Sequence, residues 1–309
     1  MVLGSLAIVL LGMLWIHRHD LAVAYHQFNW EASILNAERQ GRLHDAIQQA
    51  TQATQAMPSH SAGFYQHLGR LYLKTGQSSQ AIQALKHSFR QNPKQLAVGL
   101  SLGRLYVYTA QWSQASQHYQ RMLKQFPASA LLLMDLGDLY MKSGIMYRQH
   151  SQSQQSAWLW QWSQYYYEQA QKKGLPSSRI LPRLGRVSYV QHQFPQAIQH
   201  YCKDLAQGSK HPLSRYYVGM SLLMLEFPDE GIYEAQSALH AMNDIGTSST
   251  TTQQFALDLQ ATQRFLVEER PQEMLVPSTA PKTHHEDALN AVVPHVCLTP
   301  RRVSASSEE

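Results

Sequence analysis

"LGRLYLKTGQSSQAIQALKHSFRQNP", residues 68–93, opens on a pentapeptide that returns unchanged at 102–106 and as "LGDLY" at 136–140. With the Leu-Gly step as phase marker, copies fall at Leu68-Gly69, Leu102-Gly103, Leu136-Gly137 and Leu184-Gly185, and a variant at Val218-Gly219. The intervals are 34, 34, 48 and 34 residues, and 48 is one period plus an insertion of 14. A fixed period in this range marks a stack of small helical units, none of which can bury its apolar face alone.

Each unit has a physical logic. In its first helix a bulky residue, Leu-Gly and Tyr stand at i, i+3, i+4 and i+7, which is one helical face. Tyr65, Leu68, Gly69 and Tyr72 fit, as do Leu133, Leu136, Gly137 and Tyr140. Glycine there lets a neighbouring helix approach, at a propensity cost of ~1 kcal/mol against alanine. A turn follows, marked by Gly76 and Gly144. The second helix carries a small residue, a large one four later and a small or apolar one three beyond: Ala81, Leu85, Ser88, or Ala115, Tyr119, Met122. Pro93 and Pro127 close two units, since proline ends a helix.

This pattern, W-x2-L-G-x2-Y, then A-x3-F, then Pro, resembles the tetratricopeptide repeat. The first copy rests on Trp30, Gly41, Ala46, Ala50, Ala53 and Pro58. The fifth keeps Leu184, Gly185, Ala197 and Tyr201, with Ser188 in place of the tyrosine and the proline displaced to Pro212. The sixth keeps Val218, Gly219, Gly231, Ala235 and Ala238. The resemblance implies an all-α fold, a right-handed α-solenoid of about six helix-turn-helix repeats over 27–246. The insertion, at about 145–158, falls between the helices of the fourth repeat as an elongated loop. Residues 250–270 are expected to form a capping helix, with Phe255, Leu259, Thr262 and Leu266 roughly on one face. The tail 271–309 is rich in Pro, Ser and Thr and is expected to be disordered.

Residues 1–24 read as a membrane anchor and juxtamembrane segment. "MVLGSLAIVLLGMLWI" carries no charged side chain and is followed by "HRHD". As a helix, Val2–Ile16 spans roughly 23 Å, short of the ~30 Å hydrocarbon core, a deficit that snorkelling of Arg18 or local thinning can cover. "AVA" at 22–24 offers the rival reading, a cleaved secretory signal. Against it, no Lys or Arg precedes the apolar run. Arg18 on its carboxyl side places the body in the cytoplasm of a single-pass protein of the bacterial inner membrane, by the positive-inside rule; a periplasmic body is the alternative.

Composition excludes other classes. The 309 residues are 44% hydrophobic and 15% charged, and the net charge of +5 is not gathered into a basic run. Nucleic acid is therefore not an expected partner. Cys202 and Cys297 form no CxxC or zinc-ligand spacing and read as unconnected thiols. Residues "HRH" at 17–19 and "HH" at 284–285 supply too few ligands for a metal site, and no cofactor motif occurs. "HYCKD" puts His200, Cys202 and Asp204 close in sequence, but residues i and i+2 diverge on a helix. No catalytic set is assigned and no enzymatic activity is expected.

The resemblance implies a groove lined by the first helix of each pair, faced by the residue after the glycine. Here those positions are Arg70, Arg104, Asp138, Arg186 and Met220, with Lys74, Lys142 and Arg183 nearby. The guanidinium groups suit acidic segments or C-terminal carboxylates, unless they are solvated or pair with Glu38, Asp135 and Asp138. The insertion feeds into "SAWLWQWSQYYYEQA", where Trp158, Trp160 and Trp162 could pack on the loop or offer an aromatic anchor to a partner or lipid.

The expected role is a membrane-anchored adaptor that binds other proteins, with self-association open. The architecture is similar to bacterial envelope-assembly adaptors such as lipopolysaccharide assembly protein B, although their terminal paired CxxC motifs are missing here. The alternative is an exported periplasmic module that holds client segments, as in cytochrome c maturation or pilus assembly.

Overall fold

The computed structural model describes residues 2–209, 212–246 and 249–268, with the backbone alone at 2–17, 19, 249 and 265–268. All regular structure among them is helical. The expected disordered tail lies outside the described residues. The chain divides into two units, Met1–Ala128 and Ser129–Glu309.

The first unit holds three hairpins: α1 (Val2–Arg39) with α2 (Leu43–Ala56), α3 (Ala62–Lys74) with α4 (Ser78–Gln91), and α5 (Leu96–Tyr108) with α6 (Trp112–Gln125). A 3-10 turn, Pro58–His60, joins the first two hairpins. The alanines read as packing positions in the first repeat, Ala46, Ala50 and Ala53, are buried against Ile34, Phe64 and Leu68. Fully burying a side chain of leucine or phenylalanine size contributes about 1.5–3 kcal/mol, so this shared core holds the first hairpin to the second. Ser88 Oγ donates to Ala62 O at 2.8 Å across the second hairpin.

The second unit holds α7 (Ala130–Gln149) with α8 (Ser153–Lys172), α9 (Ser177–Val190) with α10 (Phe194–Ala206), and α11 (Pro212–Met224) with α12 (Pro228–Asp244). Helix α13 (Ser249–Glu268) follows. Leu259 is buried with Tyr216, Ala235 and Ala238, and Phe255 packs on the same cluster. The Tyr216 hydroxyl donates to Phe255 O at 2.9 Å. Phe255 and Leu259 thus cover the last hairpin as the sequence predicts, while the Leu266 side chain lies outside the described ones.

The glycine of the repeat acts by close approach. A Cβ at Gly103 would collide with the Tyr119 ring, and one at Gly137 with Tyr167. Both tyrosines are buried. The turn inside each hairpin holds one residue at positive φ: Gly41, Gly76, Ala110, Ser151, His192 and Glu226, between 57° and 73°.

Two expectations about the fourth repeat are corrected. Gly144 is not a turn residue but lies inside α7, its missing side chain leaving room for the Trp160 indole. Nor do the extra residues form an elongated loop. They lengthen both helices to 20 residues, joined by His150–Gln152. The turn residue moves from 144, one period after Ala110, to Ser151. Seven residues are close to two helical turns, so the apolar face continues in phase.

Candidate functional site

In the first unit the candidate groove residues stand on the first helices of the hairpins. Arg70 on α3 donates from Nη2 to Glu38 Oε2 of α1 at 2.6 Å, and Lys74 Nζ lies 2.8 Å from Glu38 Oε1. Burial pushes the Glu38 carboxyl upward, but hydrogen bonds and charge from Lys74 and Arg70 outweigh it and hold the carboxyl below its ordinary range. Beside this pair, Gln66, His67, Arg70 and Leu73 of α3 face Ala97 and Ser101 of α5 across a cleft of about 230 Å³. His67 Nδ1 accepts from Arg70 Nη2 at 3.0 Å. Burial and the adjacent guanidinium keep that imidazole below its usual pKa. Arg104 is exposed on α5, one repeat along.

In the second unit Arg183 of α9 grips Asp138 of α7, with Nε to Oδ1 at 2.9 Å and Nη2 to Oδ2 at 3.3 Å. The same Oδ1 accepts the Tyr167 hydroxyl at 2.7 Å. Arg183 is thus tied into the α7–α8–α9 packing. Lys142 and Arg186 are exposed. Of the six predicted cations, Arg70, Lys74 and Arg183 neutralise acids of neighbouring helices, and Arg104, Lys142 and Arg186 are exposed. A carboxylate ligand at Arg70 would compete with Glu38.

The aromatic stretch also divides. Trp158 and Trp162 are 56% and 38% exposed, whereas Trp160 is 4% exposed. Trp160 Nε1 donates to Met141 O at 3.3 Å and the ring fills the space over Gly144. Trp160 is a core residue, which removes it from the aromatic anchor, one of the two roles the sequence leaves open. Trp162 lies between Trp158, at 5.9 Å between ring centroids, and Tyr165, at 5.6 Å. Tyr140 stacks on Tyr166 at 5.4 Å.

No motif in the sequence points to a further cleft of about 390 Å³ between the tip of the α7–α8 hairpin and the α9–α10 turn. Arg148 organises it. Its Nη1 donates to Val190 O at 3.0 Å and its Nη2 to His192 Nε2 at 2.9 Å, with the guanidinium carbon 5.6 Å from the Trp160 ring centroid. Accepting at Nε2 requires a neutral ring, and burial together with Arg148 keeps His192 below its ordinary pKa.

Cys202, expected as an unconnected thiol, is disulfide-bonded. The chain's other cysteine, Cys297, lies outside the described residues. Asp204, fully buried, accepts the Ser214 hydroxyl at 2.7 Å. "HYCKD" thus offers no free thiol. Among the described residues no group of three or more metal-ligating side chains occurs; "HRH" and "HH" lie outside the described side chains. No helix among the described residues is long and apolar enough to cross a membrane, and the apolar run 2–16 belongs to the part of α1 whose side chains are not described.

Helix hairpins of this period, with glycine under the tyrosine of the partner helix, define a class of protein-binding scaffold. Family models of the tetratricopeptide repeat match residues 37–105 and 100–146, so that stretch of the chain carries tetratricopeptide repeats. No curated protein matches the chain. Similar solved structures include a tetratricopeptide repeat protein from Parabacteroides merdae, at TM-score 0.55 and 11% identity over 76% of this chain and 98% of that one. Another is pilF of Pseudomonas aeruginosa, at TM-score 0.52 and 14% identity over 74% and 96%. A thermophilic tetratricopeptide repeat protein of Thermus thermophilus aligns at TM-score 0.51 and 14% identity over 65% and 98%. At these identities the likeness is one of fold.

Proposed function

We propose that the chain is a membrane-anchored scaffold that holds segments of other proteins along the first helices of its hairpins, in the assembly or regulation of a membrane complex. The observation that carries this reading is the cleft between α3 and α5, walled by polar Gln66, Ser101 and Arg70 around apolar Leu73 and Ala97. Such a surface suits an extended segment with an acidic group, which would exchange places with Glu38 at Arg70. Residues 1–16 would supply the anchor.

A photo-crosslinking residue at Gln66 or Ser101 tests this, with one on the second helix of the hairpin, at Lys86, which does not line the cleft, as control. The expected result is a discrete set of partners crosslinked from 66 and 101, absent from 86. That set should be lost in Arg70→Glu/Arg104→Glu protein that keeps its circular dichroism spectrum. Equal capture from 86, or capture indifferent to the substitutions, would refute the reading.

The second reading, an exported module holding client segments, is favoured by one observation: Cys202 is disulfide-bonded, and disulfides persist in oxidising compartments. It opposes the cytoplasmic placement that Arg18 supports.

A further inference from the structure

Helix α1 runs for 38 residues, whereas its hairpin partner α2 has 14. At 1.5 Å per residue these are about 57 and 21 Å, so much of α1 extends past its partner. One face turns to the hairpin: Ile34 and Ala37 are buried, and Trp30 packs on the same core. The opposite face carries Leu21, Tyr25 and Phe28, which are 62%, 65% and 67% exposed. Ala32, exposed, and Leu35, half-buried, continue the line. Single exposed apolar residues are ordinary. A stripe spaced 4, 3, 4, 3 has the spacing of a coiled-coil seam.

We infer that α1 is a homodimerisation helix, its exposed seam covered by the same seam of a second copy across a two-fold axis. Charge argues for the second copy. Residues 21–30 hold no Asp, Glu, Lys or Arg, so two seams meet without repulsion, and a charged foreign partner finds nothing complementary to read. A helix lying on a bilayer carries Lys or Arg along its polar face, and residues 20–37 contain neither. Area agrees. With two-thirds of two aromatic rings and a leucine exposed, each copy can bury roughly 350–400 Å² from three side chains. Doubled, that is about half of a standard interface of ~1,600 Å²; Ala32 and Leu35 farther along the seam and Ala24 beside it would supply more. An isologous contact also closes on itself, and so leaves no ridge exposed.

The test uses the full chain in detergent micelles, with a photo-crosslinking residue at Tyr25 or Phe28 and, off the seam, at His26. The expected result is a product of twice the chain mass from 25 and 28 but not from 26. Phe28→Glu should raise the dimer Kd about a hundredfold with unchanged helicity, while Phe28→Leu keeps the dimer. A monomeric wild-type chain at micromolar concentration would overturn the inference. So would a dimer indifferent to Phe28→Glu, or crosslinks from Phe28 only to detergent or lipid.

Discussion

Gly219 and Ala110 show two opposite demands on single residues. A Cβ on Gly219 would sit 2.6 Å from both Gly231 O and Ala235 N, which are backbone atoms, so only parting α11 from α12 makes room. At Gly69 the obstacle, also at 2.6 Å, is the Leu85 side chain, which can swing away. Gly219→Ala should therefore cost about 2–3 kcal/mol by overpacking, more than Gly69→Ala, despite a helix-propensity gain of ~1 kcal/mol. Ala110, at φ 57°, occupies a turn position where the first two repeats have glycine. Ala110→Gly should stabilise by about 0.5–1 kcal/mol through relief of the left-handed conformation, and urea denaturation measures all three. Acid sensitivity is also set residue by residue. His67, His118, His192 and His200 all titrate below the ordinary value of 6.5, chiefly through burial. Because the folded pKa is the lower one, the unfolded chain takes up more protons as pH falls. Stability should be complete above about pH 7 and decline towards pH 5, with the largest share from His118, the most buried of the four. Glu38, lowered by its two cations, adds a contribution lost only below the usual carboxylate range. His118→Gln, which keeps a donor for Gly99 O (now 2.8 Å from Nε2), should flatten the slope of Tm between pH 7 and 5. An unchanged slope would show that His118 does not titrate with unfolding. At this scale the sequence revealed less of the site than of the fold. Glu38 and Asp138 could be named as possible partners for the arginines, but whether they reach depends on the spacing of neighbouring hairpins.

At the scale of elements, the repeat was legible because the stacking of hairpins forces a period onto the chain. Leu68, Tyr119 and Ala197 are buried where the pattern put them. The fourth repeat was misread for a specific reason. Sixteen residues separate Gly103 from Tyr119, and thirty separate Gly137 from its equivalent partner Tyr167. Counting residues per repeat cannot say in which element the extra fourteen fall. Gly144 stands in phase with Gly76 and so mimics a turn, and the true turn position is occupied by Ser151 rather than by a glycine. Trp160 was misplaced with it, since its burial depends on α7 continuing through Gly144. The division into seven and seven has a testable consequence. Removing 144–150 together with 152–158 restores the 34-residue unit and keeps Tyr167 opposite Gly137. That variant should unfold cooperatively with near-native helicity. Removing 152–158 alone slides α8 against α7 by about 10 Å and sets Tyr167 against position 144. Loss of a buried aromatic contact of about 3–5 kcal/mol should lower Tm by roughly 10 °C or more. Equal melting of the two variants would show that the registry of Gly137 and Tyr167 does not hold this hairpin together.

For the whole molecule, two features disagree about where the body resides, and one chemical measurement separates them. Arg18 follows the apolar run and, if that run spans a membrane, would retain its flank in the cytoplasm by the positive-inside rule. A single charge is a weak determinant. Cys202 is disulfide-bonded, and a cytosolic glutathione pool would keep such a thiol reduced. Cys202 is itself only 5% exposed, within the Tyr201 and Val218 core of α10 and α11, so its redox state bears on packing as well as on address. Intact cells treated with a membrane-permeant maleimide, then denatured and resolved by mass, report the thiols as they stood in place. If the body is exported, no label should attach until a reductant is added, and Cys297→Ser should leave Cys202 available after denaturation even without one. Reduction of the purified chain should then cost about 2–4 kcal/mol. Labelling of both cysteines in untreated cells would put the body in a reducing compartment. The adaptor would then act on the cytoplasmic face, and the exported reading would fall.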